Sequence, residues 1–424
     1  MCNFCLLLVS TACAVQGRRM QNLFAGLPHP PNPLAKFKRL SKEVDTIPRS
    51  RSLTPVNATQ APAFELEVPR SSDCGAPPPW RGVNLGGWLV LEKWMTPGLF
   101  ERIAPQAEDE RSLMEAGGEL GRAAVREFRD TFITEDDFRW LRKVANVHAV
   151  RLPVGFWCLE EHAEGTPYQS TRSYVDAVFK WAERNGLKVI LDFHGASGSQ
   201  NTQDHSGEIG PIKWLNADHL PRNLEVLEAW AKRWGQHTAL LAFGLGNEVA
   251  RPRGGWTRFY NRFGDPWGDV IAFYGDAARR VRPHLREDVA LVVDTNWDIN
   301  RWARDQLKAL PGPIWLDYHH YQCFFDKARE DPGNISSHVD AEGLAKILDT
   351  SPHPMIIGEF SCALPPAAQG YQASDWPRQF LERQTQLVSE SIHAVGWFFW
   401  SYKLAREGWE HWSFRECFER GWIS

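Results

Sequence analysis

The sequence lacks several features that mark other classes of protein. Its formal net charge of −4 at pH 7 offers no strongly basic surface to nucleic acid and little general attraction to a membrane. No GxGxxG or GxxxxGK[ST] motif follows a candidate strand, which disfavours a nucleotide-binding site. We therefore expect neither a nucleic-acid partner nor a nucleotide cofactor.

Cysteine is scarce beyond the first 13 residues. The five cysteines that follow contain no CxxC pair, so the spacing of a zinc site is missing, and no disulfide can be assigned among an odd number of them. They are Cys74, Cys158, Cys323, Cys362 and Cys417. No metal and no other cofactor is expected.

The N-terminus has the pattern of a targeting segment. Residues 4–15, FCLLLVSTACAV, form an apolar run too short to span a bilayer as a helix. Within it, Ala12-Cys13-Ala14 has the small-x-small order of a signal-peptide cleavage site. No Lys or Arg precedes the run and no acidic residue occurs before Glu43. We predict a signal or targeting segment at 1–15, with a secretory route favoured and an organelle address left open.

Residues 16–75 are rich in proline and polar residues and show no sustained hydrophobic period, so we predict a disordered linker or pro-segment. Glycosylation sequons at Asn57 and Asn334 agree with a secretory or extracellular location, although such tripeptides also arise by chance. Residues 76–424 are predicted to form one monomeric domain without a membrane span.

From Trp80 onward, short apolar runs alternate with amphipathic stretches of helical period, one of which ends at the candidate C-cap Gly186. Eight runs are candidate strands: 81–87, 146–154, 187–194, 240–248, 289–296, 313–321, 354–360 and 394–403. Their apolar residues alternate little with polar ones, as in parallel strands buried on both faces. Eight such units favour an α/β fold, a single closed (β/α)8 TIM barrel, over an open doubly wound sheet.

Active sites of such barrels lie at the C-terminal ends of the strands, so the polar residues that close the runs are predicted to face one pocket. These residues are Arg151, His194, Asn247, Glu248, Asn296, His319, Tyr321, Glu359 and Trp400. A facing pair of carboxylates, Glu248 and Glu359, without a metal-ligand set is what glycoside hydrolysis requires. The 20 Trp residues agree with sugar binding, although indoles also fill protein cores.

Each of these residues also has a plainer interpretation. A single Glu at a strand end is more often a solvated turn residue, the two histidines could be hydrogen-bonded core residues, and Arg151 could be a structural ion-pair partner. Their joint placement favours catalysis. Residues 397–400 are all aromatic, so alternate side chains should pack on helices and face the barrel interior. We expect Trp400 to be a sugar platform and Trp397 to be packing.

Seven segments, in order from Trp80 onward, resemble the motif series of glycoside hydrolase family 5, in particular its exo-β-1,3-glucanase branch. They are RGVNLGGWLVLEKWMTPGLF, VRLPVGFW, LKVILDFHGASGSQN, LGNE, DYHHYQCF, IIGEFS and GWFFWSYK. The resemblance implies a retaining hydrolase that acts on a β-1,3-glucan polysaccharide or oligosaccharide and releases glucose from the non-reducing end.

The resemblance also implies a role for each matching position. Glu248 matches the family's general acid/base and Glu359 its nucleophile. Arg151 matches the Arg beside the nucleophile, and Asn247 the residue that binds the sugar 2-OH. The other matches are His194 at the third strand end, His319 and Tyr321 as a His-x-Tyr pair, Trp400 as the aromatic platform, Glu92 as a sugar-contacting carboxylate and Phe324 as half of an entrance clamp.

These roles predict opposite protonation of the two carboxyls. Arg151 should keep the pKa of Glu359 low, while an apolar wall or the charge of Glu359 should raise the pKa of Glu248. In a retaining enzyme the two carboxyl groups should lie about 5–5.5 Å apart, whereas about 6.5–9.5 Å would indicate inversion.

Departures from the family pattern leave the substrate open. Val249 follows the acid/base where Pro is usual, and Gln203 replaces the aromatic that would face Phe324. Tyr402 stands where Trp is common. The alternatives are an endo-acting relative, a cellulase, a glycolipid glycosidase or a non-catalytic glucan-binding protein. An NAD-dependent or aldolase barrel is disfavoured, because Lys403 is the one lysine near a strand end and no dinucleotide motif exists.

Overall fold

The chain forms a closed barrel of eight parallel strands in sequential order, in which the last strand pairs with the first. In this computed structural model the described residues are 79–250, 267–302, 307, 310–323, 343–363 and 376–424. They belong to one compact unit, Pro78–Ser424. The predicted (β/α)8 barrel is confirmed.

Each of the eight predicted runs overlaps a strand, and most strands are shorter than the run that predicted them; β1, β2 and β3 each extend one residue beyond their run. The strands are β1 Trp80–Asn84, β2 Ala149–Gly155, β3 Lys188–Gly195, β4 Leu240–Gly244, β5 Ala290–Asp294, β6 Ile314–His320, β7 Met355–Phe360 and β8 Ala394–Phe399. The residues that the runs add beyond β4, β5 and β8 lie in loops at the C-terminal mouth of the barrel.

Helices connect successive strands, as a parallel sheet requires. They are α1 Pro97–Ile103, α2 Glu110–Phe132, α3 Glu135–Lys143, α4 Glu160–Ala163, α5 Arg172–Asn185, α6 Leu220–Trp234, α7 Gly268–Val281, α8 Ile299–Trp302, α9 Leu344–Thr350, α10 Trp376–Glu390 and α11 Phe414–Glu419. Helix α2 is interrupted by a kink at Gly118, which has φ 54°.

Local sequence sets the helix ends. Asp109 caps α2 by accepting the backbone N–H of Ser112 at 2.7 Å, and the Ser112 hydroxyl accepts the Asp109 N–H in return at 3.2 Å, which satisfies two donors that a helix start leaves unpaired. Helix α5 ends at Gly186 in the left-handed region, with φ 67°, as the sequence predicts.

Apolar side chains form two layers, one inside the barrel and one between the strands and the helices. The interior layer consists of small and branched aliphatic side chains and one fully buried aromatic ring: Ala149, Ile190, Ala242, Ala290, Val292, Ile356 and Phe398. Trp397 and Phe399 instead join the large cluster between strands and helices. The predicted alternation of this aromatic run is therefore confirmed, and it directs Trp400 toward the mouth.

A buried ion pair anchors the segment that follows β1. Arg129 Nη2 lies 2.7 Å from Glu110 Oε1, with both side chains at most 1% exposed. The guanidinium also donates to the carbonyl oxygens of Trp88 and Leu89, and Glu110 Oε2 accepts the N–H of Leu91 at 2.9 Å. Both charges are thus paired and hydrogen-bonded, and they fix the backbone immediately before Glu92.

The predicted targeting segment, the proline-rich segment and both sequons lie outside the described residues. Among the helices that are described, none combines the length and the apolar character needed to cross a bilayer.

Replacing Arg129 by Met should lower the free energy of unfolding by about 3–5 kcal/mol, because it leaves Glu110 buried without its partner. The matched control is Arg139→Met, which breaks a pair with Asp136 whose side chains are 54% and 81% exposed and should cost less than about 1 kcal/mol. Urea unfolding followed by tryptophan fluorescence measures both. Equal losses would show that the buried pair stabilises no more than the surface pair.

Candidate active site

Polar side chains from six strands meet at the C-terminal mouth of the barrel. Glu359 and His319 lie near the ends of β7 and β6, and their backbones are paired. Glu248 lies four residues beyond the end of β4. The sequence suggested that Arg151 lies at a strand end, but it is the third residue of β2. Its long side chain reaches from there to the mouth of the barrel.

Glu359 is held by two hydrogen-bond donors and one charged neighbour. Arg151 Nη1 lies 2.9 Å from Oε1, and the Tyr321 hydroxyl donates to Oε2 at 2.8 Å. His319 Nδ1 lies 3.4 Å from the same Oε2. A carboxylate fixed on both oxygens has one orientation available, which is what a nucleophile directed at a single carbon atom needs.

Arg151 is in turn surrounded by acceptors. Its Nη2 lies 3.1 Å from Asp192 Oδ2 and 3.6 Å from Asp317 Oδ2, and it donates to the side-chain oxygen of Asn247 at 2.6 Å. The Asn84 side-chain oxygen accepts from Nη1 at 3.0 Å. Burial alone would lower the pKa of Arg151, but these carboxylates outweigh burial and raise it.

Packing around this network is tight. A Cβ on Gly358, the residue before Glu359, would collide with the carboxyl of Asp317. Asn84 donates its side-chain amide to the Gly358 carbonyl at 2.8 Å. The backbone that presents Glu359 is therefore confined on both sides.

Two histidines flank Glu248. His319 Nδ1 donates to Oε1 at 2.8 Å, and His205 Nε2 lies 3.4 Å from Oε2. Burial opposes ionisation of Glu248, but the hydrogen bond from His319 and the charges of His205, His319 and His194 prevail and lower its pKa to about 2.

The protonation pattern differs from the one expected. Burial raises the pKa of Glu359, and the nearby Glu248 charge adds to this, against the opposing effects of His319 and Arg151. Burial lowers the pKa of His319, but Glu359, Asp317 and Glu248 together raise it well above its ordinary value. Interacting groups of this kind titrate as a unit. The shared proton accordingly lies on His319, one hydrogen bond from Glu248.

The two carboxylates come close to one another. One oxygen of Glu248, one of Glu359 and a ring nitrogen of His319 all lie within 4.8 Å of each other. Such a triad has the atom types that ligate a cation, but His319 already hydrogen-bonds to Glu248, and Arg151 supplies positive charge beside Glu359. The arrangement suits proton transfer and nucleophilic attack better than metal binding.

The remaining predicted residues line the same space. His194 Nδ1 lies 2.8 Å from Asp192 Oδ2, and its ring stacks on Trp400 at 5.6 Å with 10° between the planes. The peptide bond from Trp400 to Ser401 is cis. Glu92 accepts the indole N–H of Trp94 at 2.7 Å. Burial raises the pKa of Glu92 well above its ordinary value, and the charge of Asp204 contributes.

Among the described residues of the site, the buried polar atoms without a hydrogen-bond partner include Glu92 Oε1, His194 Nε2 and Asn247 Nδ2. Buried polar groups are normally satisfied. A donor and an acceptor left open in this way fit a ligand that carries several hydroxyl groups. Asn296, in contrast, donates its side-chain amide to the Val249 carbonyl, and Phe324 lies outside the described residues.

Sequence reasoning missed Asp192, Asp317 and His205. A signal for the first two was present, because LDFH and LDYHH both place an Asp two residues before a site histidine, and residues i and i+2 of a strand share a face. His205 lies in a short 3-10 helix, Asp204–Ser206, within the loop after β3, and no hydrophobic pattern points to it.

Replacing His319 by Gln should change how stability depends on pH. The pKa of His319 is raised in the folded state, so its contribution to stability is fully present below about pH 6.5 and is lost as the pH rises through the folded-state pKa. The excess Tm of the wild type over His319→Gln should therefore shrink as the pH rises above about 6.5.

His320→Gln is the matched control. Burial lowers the pKa of the neighbouring His320 to about 4, so its contribution is present above about pH 6.5 and is lost as the pH falls. The two difference curves should slope in opposite directions when Tm is followed by differential scanning fluorimetry. Parallel curves would contradict a proton held on His319.

Comparison with known proteins agrees with this geometry. Residues 115–404 match the family described as cellulase (glycosyl hydrolase family 5). A probable glucan 1,3-beta-glucosidase A from Emericella nidulans is 35% identical over 67% of this chain and 67% of its own length. A glucan 1,3-beta-glucosidase from Blumeria graminis is 31% identical over 81% of this chain and 86% of its own.

A probable glucan 1,3-beta-glucosidase A from Aspergillus fumigatus is 31% identical over 67% of this chain, and the alignment spans 65% of that protein. Among solved structures, rutinosidase from Aspergillus niger superposes with a TM-score of 0.63 at 18% identity, covering 82% of this chain and 98% of that one. At that identity the superposition supports the barrel fold alone. Because the family match covers well over half of the sequence, the chain belongs to glycosyl hydrolase family 5.

Proposed function

We propose that this protein is a retaining glycoside hydrolase that cleaves β-1,3-glucan and releases glucose from the non-reducing end. The observation that carries the proposal is the approach of Glu248 and Glu359, whose oxygens come within 4.8 Å of each other. This close approach favours the about 5–5.5 Å carboxyl separation of a retaining enzyme over the about 6.5–9.5 Å of an inverting one.

In the first step, Glu359 attacks the anomeric carbon and the bond from that carbon to the glycosidic oxygen breaks. Arg151 and Tyr321 hold the attacking carboxylate in place. Glu248 delivers a proton to the departing oxygen. The hydrogen bond from His319 to Glu248 supplies a route by which the proton reaches the carboxyl when substrate enters.

In the second step, Glu248 acts as a base. It removes a proton from a water molecule, and the oxygen of that water attacks the anomeric carbon and displaces Glu359. Two successive inversions leave the product with the configuration of the substrate. A β-glucan therefore yields β-glucose.

We propose that the unpaired atoms of the site bind sugar hydroxyls. Asn247 Nδ2 would donate to the 2-OH, and Glu92 Oε1 and His194 Nε2 would bind hydroxyls elsewhere on the same ring. Trp400, fixed by stacking on His194, would lie under the sugar face.

The preference for β-1,3 linkages rests on relatives named as glucan 1,3-beta-glucosidases. An endo-acting enzyme, a cellulase or a glycolipid glycosidase would use the same two carboxylates and differ in the loops around them. A binding-only protein is disfavoured because both carboxylates are present and mutually oriented.

We also propose that residues 76–424 form the hydrolase domain of a monomeric protein that enters the secretory pathway. The apolar segment with its small-x-small site, followed by a proline-rich stretch, supports this location.

Purified full-length protein should release glucose from laminarin, with β-glucose as the first anomer seen by NMR. Glu359→Ala should abolish turnover, and Glu248→Ala should reduce it by about 10²–10⁴-fold. Azide should partly rescue Glu248→Ala and form β-glucosyl azide, because it attacks from the face that water uses.

The other products would each revise the proposal. Mixed oligosaccharides would indicate endo action, and α-glucose would contradict retention. Without turnover on laminarin, cellulosic and glycolipid substrates would be tested before a binding-only role is accepted.

Tyr321→Phe should move the acidic limb of the pH profile of kcat/KM to higher pH. The Tyr321 hydrogen bond lowers the pKa of Glu359, so without it the carboxyl stays protonated, and inactive as a nucleophile, at higher pH. We expect kcat/KM on laminarin to fall by about tenfold or more.

Tyr174→Phe is the matched control, because it removes a hydroxyl that donates to Asp130 at 2.7 Å on the surface. Its pH profile should equal that of the wild type. An unchanged acidic limb in Tyr321→Phe would argue against Glu359 as the group that must be ionised.

A further inference from the structure

Glu248 has a backbone conformation that non-glycine residues seldom adopt. Its φ is 46°, in the left-handed region, which is sparsely populated by residues with a Cβ. Such conformations persist where the surrounding structure holds them. The hydrogen bonds of the neighbouring peptides show what holds this one.

Two side chains, one at the end of β5 and one just beyond it, hold the backbone of Val249. The Val249 N–H donates to Asp294 Oδ2 at 3.0 Å, and Asn296 Nδ2 donates to the Val249 carbonyl oxygen at 2.6 Å. Asp294 Oδ1 also accepts the backbone N–H of Asn296 at 3.1 Å, so these two residues are hydrogen-bonded to each other. Val249 and Asp294 are 1% and 3% exposed, so water competes little for these bonds.

The opposite side of the segment is held from the loop after β3. The Gln200 side-chain amide donates from Nε2 to the backbone carbonyl of Asn247 at 3.2 Å. The backbone carbonyl of Gln200 accepts the Ala250 N–H at 2.9 Å. The peptide group before Glu248 is thus fixed by Gln200, from the loop after β3, and the peptide group after it by Asp294, from the end of β5. These bonds act on the backbone, while the carboxylate has its own partners, His319 and His205.

We propose that Asp294 is a positioning residue for Glu248. By fixing the Val249 peptide, with Asn296 as its partner, it aims the Glu248 carboxyl at the leaving oxygen. The inference rests on the proposed acid/base role of Glu248. A proline at position 249 would have no N–H to donate, so the Val249 that departs from the family pattern is what gives Asp294 this function.

Asp294→Asn is the sharpest change, because it keeps the shape of the side chain. An amide has one acceptor oxygen, and its NH₂ group would face one of the two N–H donors that Asp294 now binds. The Val249 peptide should then shift and displace the Glu248 carboxyl. A displacement of about 1 Å strongly slows proton delivery, but it leaves substrate binding by other side chains in place.

Aryl β-glucosides with leaving groups of different acidity separate proton delivery from other effects. A phenol leaving group needs the proton from Glu248, whereas 2,4-dinitrophenolate departs without it. For Asp294→Asn we expect kcat/KM to fall about 100-fold with the phenyl glucoside and less than about threefold with the dinitrophenyl glucoside. Asn296→Ala should show the same dependence more weakly, and it serves in place of Asp294→Asn if that variant does not fold.

Asp137→Asn is the matched control. This carboxylate also accepts a backbone N–H, that of Thr134 at 2.8 Å, but it lies away from Glu248. It should lower Tm while leaving the dependence on leaving group unchanged. In a Glu248→Ala background, adding Asp294→Asn should cause no further loss, because residues that act through one group are not additive.

Two outcomes would overturn the positioning role: an equal loss with both glucosides, or a full additional loss in the Glu248→Ala background. If Glu248→Ala itself showed no dependence on the leaving group, the acid/base assignment would fail first. That result is distinguishable because it does not involve Asp294.

Discussion

The buried guanidinium of Arg151 is the contact on which the rest of the site depends. It binds side chains contributed by β1, β3, β6, β7 and the loop after β4, and thereby joins most of the barrel at one point. Without it, the carboxylates of Asp192, Asp317 and Glu359 would be buried close together with no adequate counter-charge, which a protein interior does not tolerate. The positive charge therefore permits a cluster of acids that can bind and move protons inside an apolar shell.

Most of the fold could be predicted from the sequence, because the strands of this barrel are apolar on both faces and are separated by helices of clear period. Glu248 and Glu359 could be placed together because the C-terminal ends of parallel strands converge. Arg151 was assigned to the right site from the wrong position in its strand. The second layer of charge was missed: the spacing of Asp192 and Asp317 from site histidines places them on the same face, but a linear sequence does not show that they contact Arg151.

The protonation states show the limit of pairwise argument. From the sequence, Glu359 is paired with Arg151 and Glu248 with an apolar wall. Those pairings predict a low pKa for Glu359 and a raised pKa for Glu248. In the folded protein the combined surroundings of these groups raise the pKa of His319 and lower that of Glu248. A histidine between several acids holds the proton more firmly than either carboxyl, so the group that is expected to donate the proton and the group that stores it are different residues.

The collision between Asp317 and any side chain at position 358 has a consequence for how this sequence can vary. The glycine in IIGEF shows no special backbone angle; it is needed because the counter-ion of Arg151 occupies the space where a methyl group would lie. Position 358 can therefore accept a larger residue only if position 317 becomes smaller at the same time, and that change would remove a charge from the Arg151 network. Variation at the residue beside the nucleophile is in this way coupled to the electrostatics of the nucleophile itself.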